Sequence, residues 1–160
     1  MSLNDLMDTH RRWMHEALAE AEAAADTGDV PVGAIVVNDG EIVGRGRNRV
    51  EERGDPTAHA EILAIQEACA TLGTKHLPGS TIYVTLEPCP MCAGAIVLTR
   101  LNRLVFGALD EKSGAASTLY AIPRDSRLNH QVDLLSGVEA DRAGTLLEQF
   151  FTQRRTKSAE

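Results

Sequence analysis

The chain has 160 residues, 43% hydrophobic and 24% charged, with a net charge of −7. That length holds one domain with a real core, burying roughly 70% of the surface an unfolded chain exposes. The composition excludes a disordered chain, no run of about 18 apolar residues is present to span a membrane, and the acidic balance argues against nonspecific nucleic-acid binding. The charge is uneven, however. Residues 1–30 set Arg11 and Arg12 against seven acids, Asp5, Asp8, Glu16, Glu20, Glu22, Asp26 and Asp29, a net of −5, so the remaining residues are nearly balanced. Met1-Ser2-Leu3-Asn4-Asp5 lacks the basic and apolar regions of a secretory signal, so a cytoplasmic location is expected.

In chain order, Met14, Ala17, Leu18, Ala21, Ala24 and Ala25 recur at helical spacing, with Gly28 as the stop. Residues 32–37 read as a strand, Asn38-Asp39-Gly40 as a turn and 41–43 as the returning strand of a hairpin. A helix is expected over 58–72 on Ile62, Ile65 and Cys69, a strand over 81–86, a helix over 92–101 and a strand over 104–107. Residues 110–131 read mostly as loop. A last strand over 132–135 and a helix from Asp141 to about Arg155 close the chain. Residues 156–160 read as a polar tail, leaving 1–155 as a single domain. Strand–helix alternation after an initial hairpin implies an α/β fold of three layers, α/β/α, with a mixed sheet of roughly five strands.

Two segments carry chemistry: His59-Ala60-Glu61 and Pro88-Cys89-Pro90-Met91-Cys92, each at the expected start of a helix. Thiolates at a helix N-terminus are stabilised by free N–H groups and the helix dipole. Two thiolates and one imidazole make three zinc ligands and leave a fourth position for water, the pattern of a catalytic site. Glu61, two residues beyond His59, would point about 200° away from it on a helix. It is therefore no natural fellow ligand, yet near the first turn it can reach the water and shuttle its proton to a leaving nitrogen. His-x-Glu with Pro-Cys-x-x-Cys is the known zinc-deaminase signature.

Competing readings exist. Cys89 and Cys92 alone fit a redox pair or half of a structural zinc site, whose fourth ligand would come from Cys69, His76, His130, His10 or His15. Cys69 reads as a small core residue, His76 as a loop residue, and His10 and His15 as solvent-facing.

With these motifs, the chain resembles the cytidine-deaminase superfamily and, within it, the bacterial tRNA-specific adenosine deaminases. The resemblance runs from Trp13-Met14 to Arg155. It rests on Asp29-Val30-Pro31-Val32-Gly33-Ala34, Asn48-Arg49, Asp55 to Glu61, Thr85-Leu86-Glu87-Pro88-Cys89 and Met91-Cys92-Ala93-Gly94-Ala95. Further matches are Val105-Phe106-Gly107-Ala108, Asp110-x-Lys112-x-Gly114-Ala115-Ala116, Asn129-His130 and Phe150-Phe151 with its basic followers. It implies a cytidine-deaminase-like fold and one Zn2+ per subunit on His59, Cys89 and Cys92. Glu61 becomes the proton shuttle, and the backbone N–H of Cys89 or a neighbour steadies developing oxyanion charge. Asn48 would orient the nucleoside, Asp110 and Lys112 would touch the nucleic acid from the loop after a strand, and Val30, Ala60, Leu86, Phe150, Arg154 and Arg155 would be further substrate contacts.

The implied reaction converts the wobble adenosine of a tRNA anticodon stem-loop, usually of arginine tRNA, to inosine. The implied assembly is a homodimer, with no nucleotide cofactor and no membrane. An anticodon loop is already single-stranded, so a base can be splayed out at modest cost and stacked on Phe150 or Phe151. Adjacent helix residues point differently, so one of the two belongs to the core or a dimer contact. Arg45, Arg47 and Arg49 share a strand face; for the first two an exposed strand is the simpler account, and for Asp110 a turn. Pro90, Leu109 and Ser117-Thr118 depart from the common pattern, and Leu109 removes a frequent arginine. A free-base deaminase acting on guanine or cytosine is the alternative enzyme, and an RNA-binding zinc module the non-enzymatic one.

Overall fold

A computed structural model describes residues 1–159, with side chains through Lys157. Helix α1 (Leu3–Asp26) begins earlier than its apolar stripe suggests, because Ser2 and Asp5 form a reciprocal capping box. It ends where Thr27, Gly28 (φ 84°) and Asp29 turn their N–H groups back onto the carbonyls of Ala24 and Ala25. Strands β1 (Gly33–Asn38) and β2 (Glu41–Arg47) form the expected hairpin. Its two loop residues, Asp39 and Gly40, both have positive φ, which matches the right-handed twist of the strands it joins.

Strand β2 runs four residues past its expected end, and the reason is packing. Gly44 and Gly46 lie under helix α3 (Ala60–Leu72), where a Cβ would run into the carbonyls of Ala64 and Ala60. After β2 comes a one-turn helix α2 (Val50–Arg53) that no sequence signal announced. Then follow β3 (Thr81–Leu86), α4 (Pro90–Leu98), β4 (Arg103–Ala108), a 3-10 turn at Ile122–Arg124, β5 (Asp133–Leu135) and α5 (Ala140–Ala159). Helix α5 continues through residues 156–159, where a loose tail was expected.

The sheet order is β2-β1-β3-β4-β5, with β1 antiparallel to both neighbours and the β3-β4 and β4-β5 pairs parallel. It is the expected mixed five-stranded sheet. Strand alternation splits the core in two. Ala34, Val36, Ile82, Val84, Leu104 and Phe106 pack toward α3 and α4, while Ile35, Val37, Tyr83 and Val105 pack toward α1 and α5. β3 and β4 are buried on both faces and read as unbroken apolar runs for that reason.

Candidate active site

α3 and α4 both start at the end of the sheet where β3 finishes, and their N-caps are two of the three candidate metal donors. His59 caps α3 in an extended conformation (φ −78°, ψ 151°) and Cys89 caps α4 likewise (φ −74°, ψ 173°). Pro90 follows Cys89 as the first helical residue, where its missing N–H has no partner to lose; it also holds Cys89 extended. Because neither cap residue belongs to its helix, their side chains turn toward each other. His59 Nδ1 stands 3.5 Å from both Cys89 Sγ and Cys92 Sγ, and the three donor atoms lie within 4.8 Å of one another.

The position of Glu61 corrects one expectation. A 200° separation applies between two helical residues, but His59 lies just outside the helix, so the angle does not apply. Glu61 is 4% exposed and lines the same pocket as His59 and Cys89. Burial pushes its acid up to about 7, opposed by its own backbone N–H and by the charge of His59, with the Cys92 thiol as a further partner. A carboxyl held there can take a proton and give it back near neutral pH.

The sulfur atoms are electrostatically coupled. A hydrogen bond from the Cys92 thiol brings the Cys89 thiol down to about 4, despite partial burial, and the same hydrogen bond, together with burial, drives Cys92 sharply upward. The hydrogen bond to Cys89 also raises His59. The pair thus sheds one proton easily and the second with difficulty, until a cation compensates both charges. Two thiolates and an imidazole nitrogen, converging on one point, fit a tetrahedral zinc with one position left over.

The pocket over this cluster has a volume of about 310 Å³. Of the residues singled out from sequence, Val30, Asn48, Ala60, Leu86 and Asp110 line it together with His59, Glu61 and Cys89. Asn48 is itself fixed: its amide donates to the Val30 carbonyl at 3.2 Å and its oxygen accepts from the Val50 N–H at 3.2 Å. Among the wall residues with no role assigned from the sequence, two are buried acids. Asp29, fully buried, accepts from the N–H groups of Glu51 (2.6 Å) and Glu52 (3.2 Å) and so caps α2 at the pocket rim. Glu87 is 2% exposed and, although burial pushes its acid upward, the Thr118 hydroxyl and several N–H groups hold it below the usual range. Each belongs to a quoted motif, and an acid inside an otherwise apolar segment is the signal that could have found it.

Lys112, Phe150, Arg154 and Arg155 lie apart from this pocket. Lys112, Arg154 and Arg155 line a shallow groove with Phe151, the more exposed phenylalanine. Phe150 is half-buried, packs edge-on against Phe151 and has Arg154 over its ring at 5.2 Å. Arg45 is occupied by Glu16 at 3.0 Å and Arg49 by Glu52 at 3.5 Å. His10, expected in solvent, is buried with its Nδ1 at 2.8 Å from the Tyr83 hydroxyl. His130 meets the Leu101 carbonyl, and Cys69 is half-buried against the α3-side core. None of these joins the metal cluster among the described residues.

Comparison with known proteins gives the class first: residues 8–155 match the MafB19-like deaminase family. More narrowly, the chain belongs to the family of tRNA-specific adenosine deaminases. It is 49% identical over 145 residues to the tRNA-specific adenosine deaminase of Bacillus subtilis (strain 168), covering 91% of this chain and 90% of that one. The Aquifex aeolicus (strain VF5) protein of the same name is 49% identical over 139 residues, covering 87% and 91%. A solved structure from work on A-to-I editing by tRNA:A34 deaminases at the wobble position of transfer RNA has a TM-score of 0.82 at 43% identity, covering 85% of this chain and 99% of that one. Guanine deaminase from Nitrosomonas europaea has a TM-score of 0.76 at 26% identity, covering 88% and 83%.

Proposed function

We propose that this chain hydrolyses adenosine at the wobble position of a tRNA anticodon, in arginine tRNA above all, to inosine. One water is consumed and one ammonia leaves. The observation that carries this reading is the buried Glu61 carboxyl in the same pocket as the His59, Cys89 and Cys92 donors. These three residues would hold one zinc ion, which when bound supplies a Lewis acid that brings a water's pKa to about 7. Glu61 takes the proton from the attacking water and delivers it to the departing exocyclic nitrogen. Asn48, Val30, Ala60, Leu86 and Asp110 orient the nucleoside, and the backbone N–H at Cys89 faces the developing charge. Nothing in this chemistry calls for a nucleotide cofactor.

On the RNA side, Lys112, Arg154 and Arg155 meet phosphates and the Phe150-Phe151 pair offers a stacking face, as a splayed single-stranded loop requires. With about three phosphate contacts on a single-stranded loop, log affinity should fall against log salt with a slope of about −2. Filter binding from low to physiological salt checks this; a slope several times steeper means that the basic groove is not the main contact. Met91 and Leu98 of α4 and Leu119 and Tyr120 beyond β4 are exposed apolar side chains, which supports a homodimer. No helix among the described residues is long and apolar enough to cross a membrane. A single deaminase domain over 1–155, acting in the cytoplasm, completes the reading.

The direct test is incubation with an anticodon stem-loop carrying adenosine at the wobble position. Inosine should accumulate over many turnovers, and none at stoichiometric enzyme sinks the proposal. Ammonia from free guanine with an inert stem-loop would favour the free-base alternative instead. Cys92→Ser tests the ligand set, since Cys92 is fully buried. The variant should lose zinc and turnover together. Where zinc stands about 100-fold above its Kd, lost binding costs about 2.7 kcal/mol, roughly 5–10 °C in Tm. Calorimetry with and without a chelator reads it: the wild type should shift, the variant should not.

A further inference from the structure

Glu87 lies two residues before Cys89, and the chemistry above does not use its carboxylate. One oxygen, Oε2, accepts from the N–H groups of Ala116 (3.1 Å), Ser117 (2.8 Å) and Thr118 (3.0 Å). The other, Oε1, accepts from the Asp110 N–H at 3.1 Å and the Thr118 hydroxyl at 2.5 Å. Five donors from the two ends of one loop therefore close on one buried charge. The loop fits tightly round it: a Cβ at Gly114 would come within 2.5 Å of the Glu87 carboxyl carbon. A further bond from the Ala115 N–H to the Pro88 carbonyl, at 2.8 Å, ties the loop to the segment that carries Cys89.

That loop supplies the outer wall of the pocket. Asp110 and Ser113 reach the pocket itself, while Lys112, between them, reaches the groove shared with Phe151, Arg154 and Arg155. A loop without regular structure has no ladder to satisfy its N–H groups, and a buried anion does this in one place. Ordering the loop before substrate arrives removes that entropy cost from binding.

We propose that Glu87 is a positioning residue that presets loop 110–118, so that one end meets the nucleoside and the middle meets a phosphate. This rests on the deaminase reading and adds to it a determinant of RNA docking, separate from the metal. Glu87→Gln preserves size but turns one acceptor into a donor. If the Oε2 contacts persist, the amide nitrogen faces the Asp110 N–H, donor against donor, and that end of the loop is released.

The test combines steady-state kinetics on the anticodon stem-loop, zinc content, and amide hydrogen exchange. In Glu87→Gln, KM should rise about tenfold with kcat within about twofold, as for loss of a charge-assisted hydrogen bond that acts on docking. Zinc content and α3 protection should stay unchanged, while the amide of Asp110 exchanges faster. A fall in kcat with KM unchanged, or unchanged exchange together with unchanged KM, overturns the proposal. If the wild type makes no inosine, the deaminase reading fails, and exchange with stem-loop affinity still decides the positioning role. Should Glu87→Gln not fold, Thr118→Val removes only the hydroxyl contact and should raise KM about threefold with the same exchange signature; no change in either overturns the proposal.

Discussion

Glu61→Gln should abolish multiple turnover while leaving metal and RNA binding in place. The expected loss is roughly 10²- to 10⁴-fold, the usual contribution of a positioned acid–base group. Glutamine fills the same buried volume but cannot pass a proton from the water to the leaving nitrogen. The folded state should not suffer, because a buried carboxyl with a raised pKa is replaced by a neutral amide of equal size. Single-turnover inosine formation, zinc content and Tm on one preparation separate the roles. Retained turnover would return Glu61 to a structural role. Lost zinc would mean that Glu61 supports the ligand set rather than the proton transfer. A binding module without catalysis predicts that every function survives the change.

Gly46→Ala should damage the site from a distance of one layer. The added methyl would collide with the Ala60 carbonyl and lie 2.6 Å from the Ala64 nitrogen, both backbone atoms of α3. Backbone cannot swing aside as a side-chain tip can, so the helix must shift. Overpacking of this kind costs about 3 kcal/mol. The first turn of α3 carries Glu61, with His59 just ahead of it, so the shift also moves the Glu61 carboxyl relative to the two sulfurs. Denaturant unfolding should show the loss in stability, and activity should fall in molecules that remain folded. Gly144→Ala is the matched control. It sits in α5 with open space around a new Cβ, and should stabilise by about 0.5–1 kcal/mol through lower unfolded-state entropy. Equal effects of the two substitutions would show that the close approach of β2 and α3 matters little.

Most of the fold was legible because its signals are local. The hairpin follows from Asp39-Gly40 between β-branched runs, α3 from its periodicity, and β3 and β4 from short apolar runs. The misses share a cause. The expected strand stops at Val43, because the role of Gly44 and Gly46 is to admit a helix that comes later in the chain. Helix α2 has no stripe of its own and exists because Asp29, 22 residues earlier, caps it. His10 read as solvent-facing because Tyr83, its partner, lies 73 residues away.

The sequence by itself determined the candidate chemistry. The three candidate metal donors, the proposed proton carrier, and the location of the acidic excess in the first thirty residues depend on residue type and spacing, which survive without coordinates. Only the tertiary structure decided the relations among them. It placed His59 and Cys89 as caps just outside their helices, which turns their side chains together and voids the angular argument about Glu61. It separated the pocket over His59, Glu61 and Cys89 from the Lys112–Phe151–Arg154–Arg155 groove, and it joined the two through a loop gathered on Glu87. Cap geometry and long-range hydrogen bonds depend on how distant backbone segments pack, and no local pattern in the chain encodes them.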